Sequence, residues 1–109
     1  MSKIIRRFIS YIGKTKLEDF VDPKVQSQVQ NFCEDREKKD SRCIKAEIKG
    51  TRFHRSHDDP TDEKEVLTIK FFNEDDKRVG TGHLHEDGTY KFRYKRPPPE
   101  DAANGYENQ

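Results

Sequence analysis

Residues 81–96 read TGHLHEDGTYKFRYKR, and the way this stretch folds decides how the rest of the chain packs. Apolar and polar residues alternate on both sides of Glu86-Asp87-Gly88. A three-residue loop with a left-handed glycine in third place is a common hairpin connection. It sets His85 opposite Thr89, Leu84 opposite Tyr90, Gly82 opposite Phe92 and Gly80 opposite Tyr94. Upstream, a four-residue loop from Glu74 to Lys77 sets Phe71 opposite Gly80, Ile69 opposite Gly82 and Leu67 opposite Leu84. Two turns read separately thus gather Leu67, Ile69, Phe71, Leu84, Tyr90, Phe92 and Tyr94 on one face. A one-residue slip at either turn would carry its aromatic residues into water. The two glycines leave room among these large side chains for a ring or a helix to approach.

Working outward, Ile44, Ala46 and Ile48 alternate with Lys45, Glu47 and Lys49 in a further strand. Gly50 interrupts the alternation, and a bulge there returns Phe53 to the inner face. The spacing predicts strands over about 42–55, 65–73, 78–85 and 89–96. Pro97, Pro98 and Pro99 stop the last one, because residues without an N–H cannot continue a ladder. Residues 97–109 have little to bury and are expected to form a disordered, Pro-rich, acidic tail.

On the N-terminal side, Ile4, Ile5, Phe8, Ile9 and Ile12 fall on one stripe of a helix over 3–13, with Gly13 as its stop. Thr15 and Glu18 read as a capping box for a short helix over 15–21 that presents Leu17, Phe20 and Val21. Asp22-Pro23 is a strong start signal for a helix over 23–38. Val25, Val29, Phe32 and Cys33 lie on one of its faces, and it is expected to fray in EDREKKD. The fold class is therefore α+β: two or three N-terminal helices packed on one face of a four-stranded antiparallel β-meander, in a single domain over 1–96.

Composition bounds what such a domain does. Of 109 residues, 29% are hydrophobic and 39% charged, so the core is thin and the surface ionic. Lys and Arg number 22 against 21 Asp and Glu, so net charge selects no partner and only the placement of charge is informative. Cys33 and Cys43 read as reduced thiols of a cytoplasmic protein. No apolar run reaches the ~18 residues that span a bilayer. The first sixteen residues contain Lys3, Arg6, Arg7, Lys14 and Lys16 and no acid. The alternative for a basic amphipathic helix of this kind is an anionic membrane, or import into mitochondria or another organelle. Docking of the stripe on the domain's own core is the preferred reading.

The outward positions of the meander carry Lys45, Lys49, Lys70, Lys91, Arg93 and Lys95 with His83, against the single acid Glu47. The remaining acids of this half cluster in the loops. This face is the candidate binding surface, and the expected partner is an acidic protein met by the face or by an edge strand. Nucleic acid on the same face is the alternative, weakened because the aromatic residues that stack bases point inward. A homodimer through an edge strand is a further alternative. His83 and His85 project from one side of a strand, and His54 is the nearest third candidate, but Val66 lies between them, so no metal site is expected. No Gly-rich phosphate loop, HExxH or CxxC is present, and neither a catalytic group nor a cofactor is expected. The sequence reads as a non-catalytic binding module of adaptor or inhibitor type.

Overall fold

The three strands that follow residue 65 form an antiparallel meander: β3 (Val66–Phe72), β4 (Arg78–His85) and β5 (Tyr90–Tyr94). The structure is a computed structural model that describes residues 9–56 and 63–96 and the backbone of Tyr106–Asn108. Leu67 faces Leu84, Ile69 faces Gly82 and Phe71 faces Gly80. Leu84 faces Tyr90, Gly82 faces Phe92 and Gly80 faces Tyr94, the pairs that the two turn lengths dictate. Gly88 adopts φ +90°, and the Asp87 carboxylate accepts from the Thr89 N–H at 3.0 Å, which closes the turn.

The chain before the meander departs from the expected helices. Ser10–Ile12 is a strand, β1, and Lys45–Ile48 is β2. The two lie side by side in parallel, so the sheet is mixed, with order β1-β2-β3-β4-β5 and a sixth strand, β6 (Tyr106–Asn108), beside β5. One helix is present among the described residues, α1 (Pro23–Lys39), in place of the two or three expected. A parallel pair needs a crossover, and α1 supplies it.

The physical reasons are local. Ile9 and Ile12 are β-branched and favour extended backbone over helix. As a strand, Ile9 and Tyr11 turn inward while Ser10 faces solvent, and the Ser10 N–H donates to the Ile44 carbonyl at 2.9 Å. That pairing satisfies the edge of β2, which a docked helix would leave open. Residues 1–8 of the expected stripe lie outside the described residues. Gly13, read as a helix stop, instead takes φ +85° after β1. The expected second helix is one 3₁₀ turn, Leu17–Asp19, started by Lys16, whose N–H donates to the Asp19 carboxylate at 2.8 Å. Phe20 turns into the core, and Val21 is left 98% exposed.

α1 begins as expected, with the Asp22 carboxylate accepting from the Lys24 N–H at 2.9 Å. It does not fray in EDREKKD. Arg36 is fully buried, its guanidinium 4.0 Å from the centre of the Phe92 ring and donating to the Tyr94 hydroxyl at 3.0 Å. The core lies between α1 and the inner sheet face, where Phe32 meets Phe71 and Tyr90, and Phe71 meets Phe92 edge-on. The strand expected over 42–55 ends at Ile48. Gly50 adopts φ +89°, Phe53 rejoins the core half-buried, and His54 pairs with Val66 as an isolated bridge. Of the expected tail, residues 97–105 and 109 lie outside the described residues.

Candidate functional site

The outer face of the sheet is built by alternation. Lys70 lies beside Thr81, which lies beside Arg93; one step along, Thr68, His83 and Lys91 are neighbours. Two strand spacings separate the Cα atoms of Lys70 and Arg93, about 10 Å. Around this row the surface sinks into a concavity of about 410 Å³ lined by Lys70, Arg78, Thr81, His83, Arg93, Tyr94 and Lys95.

A β-bulge shapes it. The register slips between Phe71 and Phe72, so that Phe72 faces Arg78 and Val79 is left over. Val79 drops into the core with no exposed surface, and Arg78 comes to the outer side. The freed Val79 carbonyl accepts from the Lys95 N–H at 2.7 Å and the Arg96 N–H at 3.1 Å. The Arg96 guanidinium donates to the Arg78 carbonyl at 2.6 Å. One bulge thus turns Arg78 outward and ties the end of β5, with Lys95, next to it. In the preceding turn, the Asn73 side chain accepts from the Asp75 and Lys77 N–H groups, and Asp76 takes φ +63°.

The predicted basic residues divide into two groups. Lys70, His83, Arg93 and Lys95 line the concavity together. Lys45, Lys49 and Lys91 do not. Lys45 forms an ion pair with Asp76, and the Lys49 ammonium sits 3.4 Å from the Glu47 carboxylate. Lys91 is half-buried one residue pair further along. Glu47 faces Lys70 across β2 and β3, so a carboxylate borders the concavity on that side. Arg78 and Tyr94 were not among the predicted site residues. The signal for Arg78 was in the sequence: Arg78-Val79 breaks the alternation that Gly80 to Leu84 keeps, and a bulge is the usual repair. Tyr94 was assigned wholly to the core; at the strand end it reaches both Arg36 and the concavity.

Of the candidate histidines, His54 and His85 stand on either side of β3. His54 pairs with Val66, and Val66 pairs with His85, so a buried valine separates the two imidazoles. His54 Nδ1 lies 2.8 Å from the Arg55 carbonyl, and His85 Nδ1 lies 2.9 Å from Thr89 Oγ1. His83 and His85 are 6% and 5% exposed, so neither imidazole is a freely solvated part of the outer face, although His83 still borders the concavity. Among the described residues no three His, Cys, Asp or Glu side chains group as metal ligands. Cys33 and Cys43 are free and buried. Burial pushes both thiols up, Cys43 to about 12 with help from the Asp40 carboxylate, which disfavours the thiolate that nucleophilic chemistry needs.

Among the described residues the sheet edges are β1 and β6, three residues each, and such short edges offer a partner strand few ladder positions. Among the described residues no helix is long and apolar enough to cross a membrane. Comparison with protein-family models, with curated proteins and with solved structures finds no match to this chain.

Proposed function

We propose that this protein is a non-catalytic binding module whose basic concavity takes an acidic segment of a protein partner. One observation carries the reading: Lys70, Arg78 and Arg93 from three strands and Lys95 just after β5 converge on one concavity, in a chain whose total charge is close to balanced. Their spacing suits several carboxylates presented on a short stretch of chain. Thr81 and Tyr94 add uncharged polar groups to the same surface. The acidic turn at Glu74 and Asp75, and Glu47 beside Lys70, bound the surface and favour a short acidic ligand over a long polyanion.

The test uses a fluorescent peptide rich in Glu and Asp, followed by anisotropy at rising salt. Lys70→Glu with Lys95→Glu should weaken binding roughly tenfold or more and flatten the salt dependence. The fold should stay intact, because solvated charges contribute little to stability. Unchanged binding by this variant would overturn the proposal. Tighter binding of an oligothymidylate than of the peptide would replace it with the nucleic-acid reading.

A further inference from the structure

The opposite end of the molecule carries a second surface with the reverse chemistry. A groove of about 500 Å³ opens where the 3₁₀ turn meets α1 and the segment after Gly50. Its apolar wall is Phe20, Val21, Val25 and Phe53. Phe20 is buried and anchors the wall, Val25 and Phe53 are half-buried, and Val21 is 98% exposed. An isolated exposed valine needs no explanation, but this one continues an apolar wall.

Local structure makes no use of Val21. It precedes the N-cap Asp22, the place from which an apolar residue usually staples onto the fourth helical position. That position is Gln26, whose side chain donates to the Leu17 carbonyl at 2.6 Å. Val21 therefore faces the groove mouth without an intrahelical mate.

Four carboxylates stand around this wall, Asp19, Asp22, Glu65 and Glu86, against the single guanidinium of Arg52. Asp19 and Asp22 accept backbone hydrogen bonds as caps, and among the described residues none of the four forms an ion pair. The rim is anionic and the wall apolar. We propose that this groove docks a basic segment of a protein partner that carries one or two large apolar side chains, the apolar groups lying on Val21, Val25 and Phe53 and the lysines or arginines meeting the rim.

A second copy of this chain fits less well. Its basic concavity would bring charge, but its one large ring there, Tyr94, is half-buried with its hydroxyl held by Arg36. Among the described residues lining that concavity, no apolar side chain is free to fill the groove. Glu65 precedes β3 and Glu86 follows β4, whereas Arg78 opens β4 and Lys95 follows β5. Arg78 and Glu86 thus stand at opposite ends of β4, roughly 26 Å of strand apart, while the concavity reaches along β4 as far as His83. An acidic and a basic partner could be held at once.

The test is a methyl and amide NMR titration with a short capped peptide that alternates lysine with phenylalanine and leucine. Saturable shifts at Val21, Val25 and Phe53 are expected. Val21→Ser, which changes only an exposed side chain, should weaken binding severalfold with the spectrum otherwise unchanged. Glu65→Lys with Glu86→Lys should weaken it roughly tenfold, and Lys70→Glu with Lys95→Glu should not. The proposal is overturned by shifts elsewhere or none. Equal binding of a peptide with serine in place of the apolar residues would reduce the groove to a charge effect and also overturn it. Shifts at Val21 that track protein concentration without peptide would replace the partner with a second copy.

Discussion

Gly82 is where the helix and the sheet come closest. A Cβ built there would lie 2.2 Å from Phe32 Cζ and 2.6 Å from Phe32 Cε2. The neighbour is a ring locked between Phe71 and Tyr90, so it has nowhere to move. Gly82→Ala should therefore cost about 1–3 kcal/mol by overpacking, seen as a lower denaturant midpoint with an unchanged slope. Gly50→Ala meets no atom within 4 Å and is strained only by its φ of +89°, so it should cost less. An equal loss at both sites would mean that close packing at Gly82 is not what the glycine serves. At this scale much was legible. Two turn lengths located Gly82 between Ile69 and Phe92, and the need for space followed. Which ring would fill it was not legible, because that depends on the rotation of α1 about its axis. The bulge at Val79 was missed for a related reason: a turn length sets register only until the strand itself slips.

Element by element, the departures from the periodic pattern share one cause. Polar docking or strand pairing, not apolar spacing, decides the conformation there. EDREKKD has no apolar residue, so periodicity gives the end of α1 nothing to bury. The inner face, however, presents two tyrosine hydroxyls. Asp35 accepts from the Tyr90 hydroxyl at 2.6 Å and pairs with Lys39 at 3.3 Å, while Arg36 stacks on Phe92 and donates to Tyr94. The helix end docks through these groups. Arg36→Ala should leave a cavity and remove the cation beside Asp40, costing about 3 kcal/mol or more. Arg36→Met keeps most of the volume without a charge and should lose much less. Urea melts of both variants check this. A methionine variant as unstable as the alanine one would show that charge, not packing, holds the helix end. The N-terminal segment failed in the opposite direction. Its isoleucines satisfy a helical stripe over 3–13, yet Ser10–Ile12 is taken by the open edge of β2. Tyr11, outside that stripe, turns inward to lie beside the Cys33 thiol.

Over the whole molecule, ionisable groups in and beside the core contribute to how stability depends on pH. On the acid side, burial alone would raise the Asp35 and Asp40 carboxyls. Hydrogen bonds outweigh it, from Tyr90 and Lys39 to Asp35 and from Arg42 to Asp40, and hold both below the ordinary value of 3.8. The unfolded chain then binds these protons first. The stability the two carboxylates lend is present above about pH 4 and is lost as pH falls through their folded values. On the alkaline side, burial raises Cys33 and Cys43 above the ordinary 9.0, and Tyr11 and Tyr90 above the ordinary 10.0. Here the folded chain keeps protons that the unfolded chain releases, so stability falls as pH rises past 9. The melting temperature should therefore show a plateau between an acid limb that starts near 4 and an alkaline limb that starts near 9. Cys33→Ala with Cys43→Ala lowers the plateau by removing buried atoms, but the informative change is in shape. With only the tyrosines left to titrate, the alkaline limb should begin about one pH unit later, near 10. Thermal melts of both proteins across pH 3 to 11 read this directly. A limb that still starts at 9 in the double variant would mean that the thiols are not its source, and that the core around Tyr11 and Asp40 does not hold them protonated.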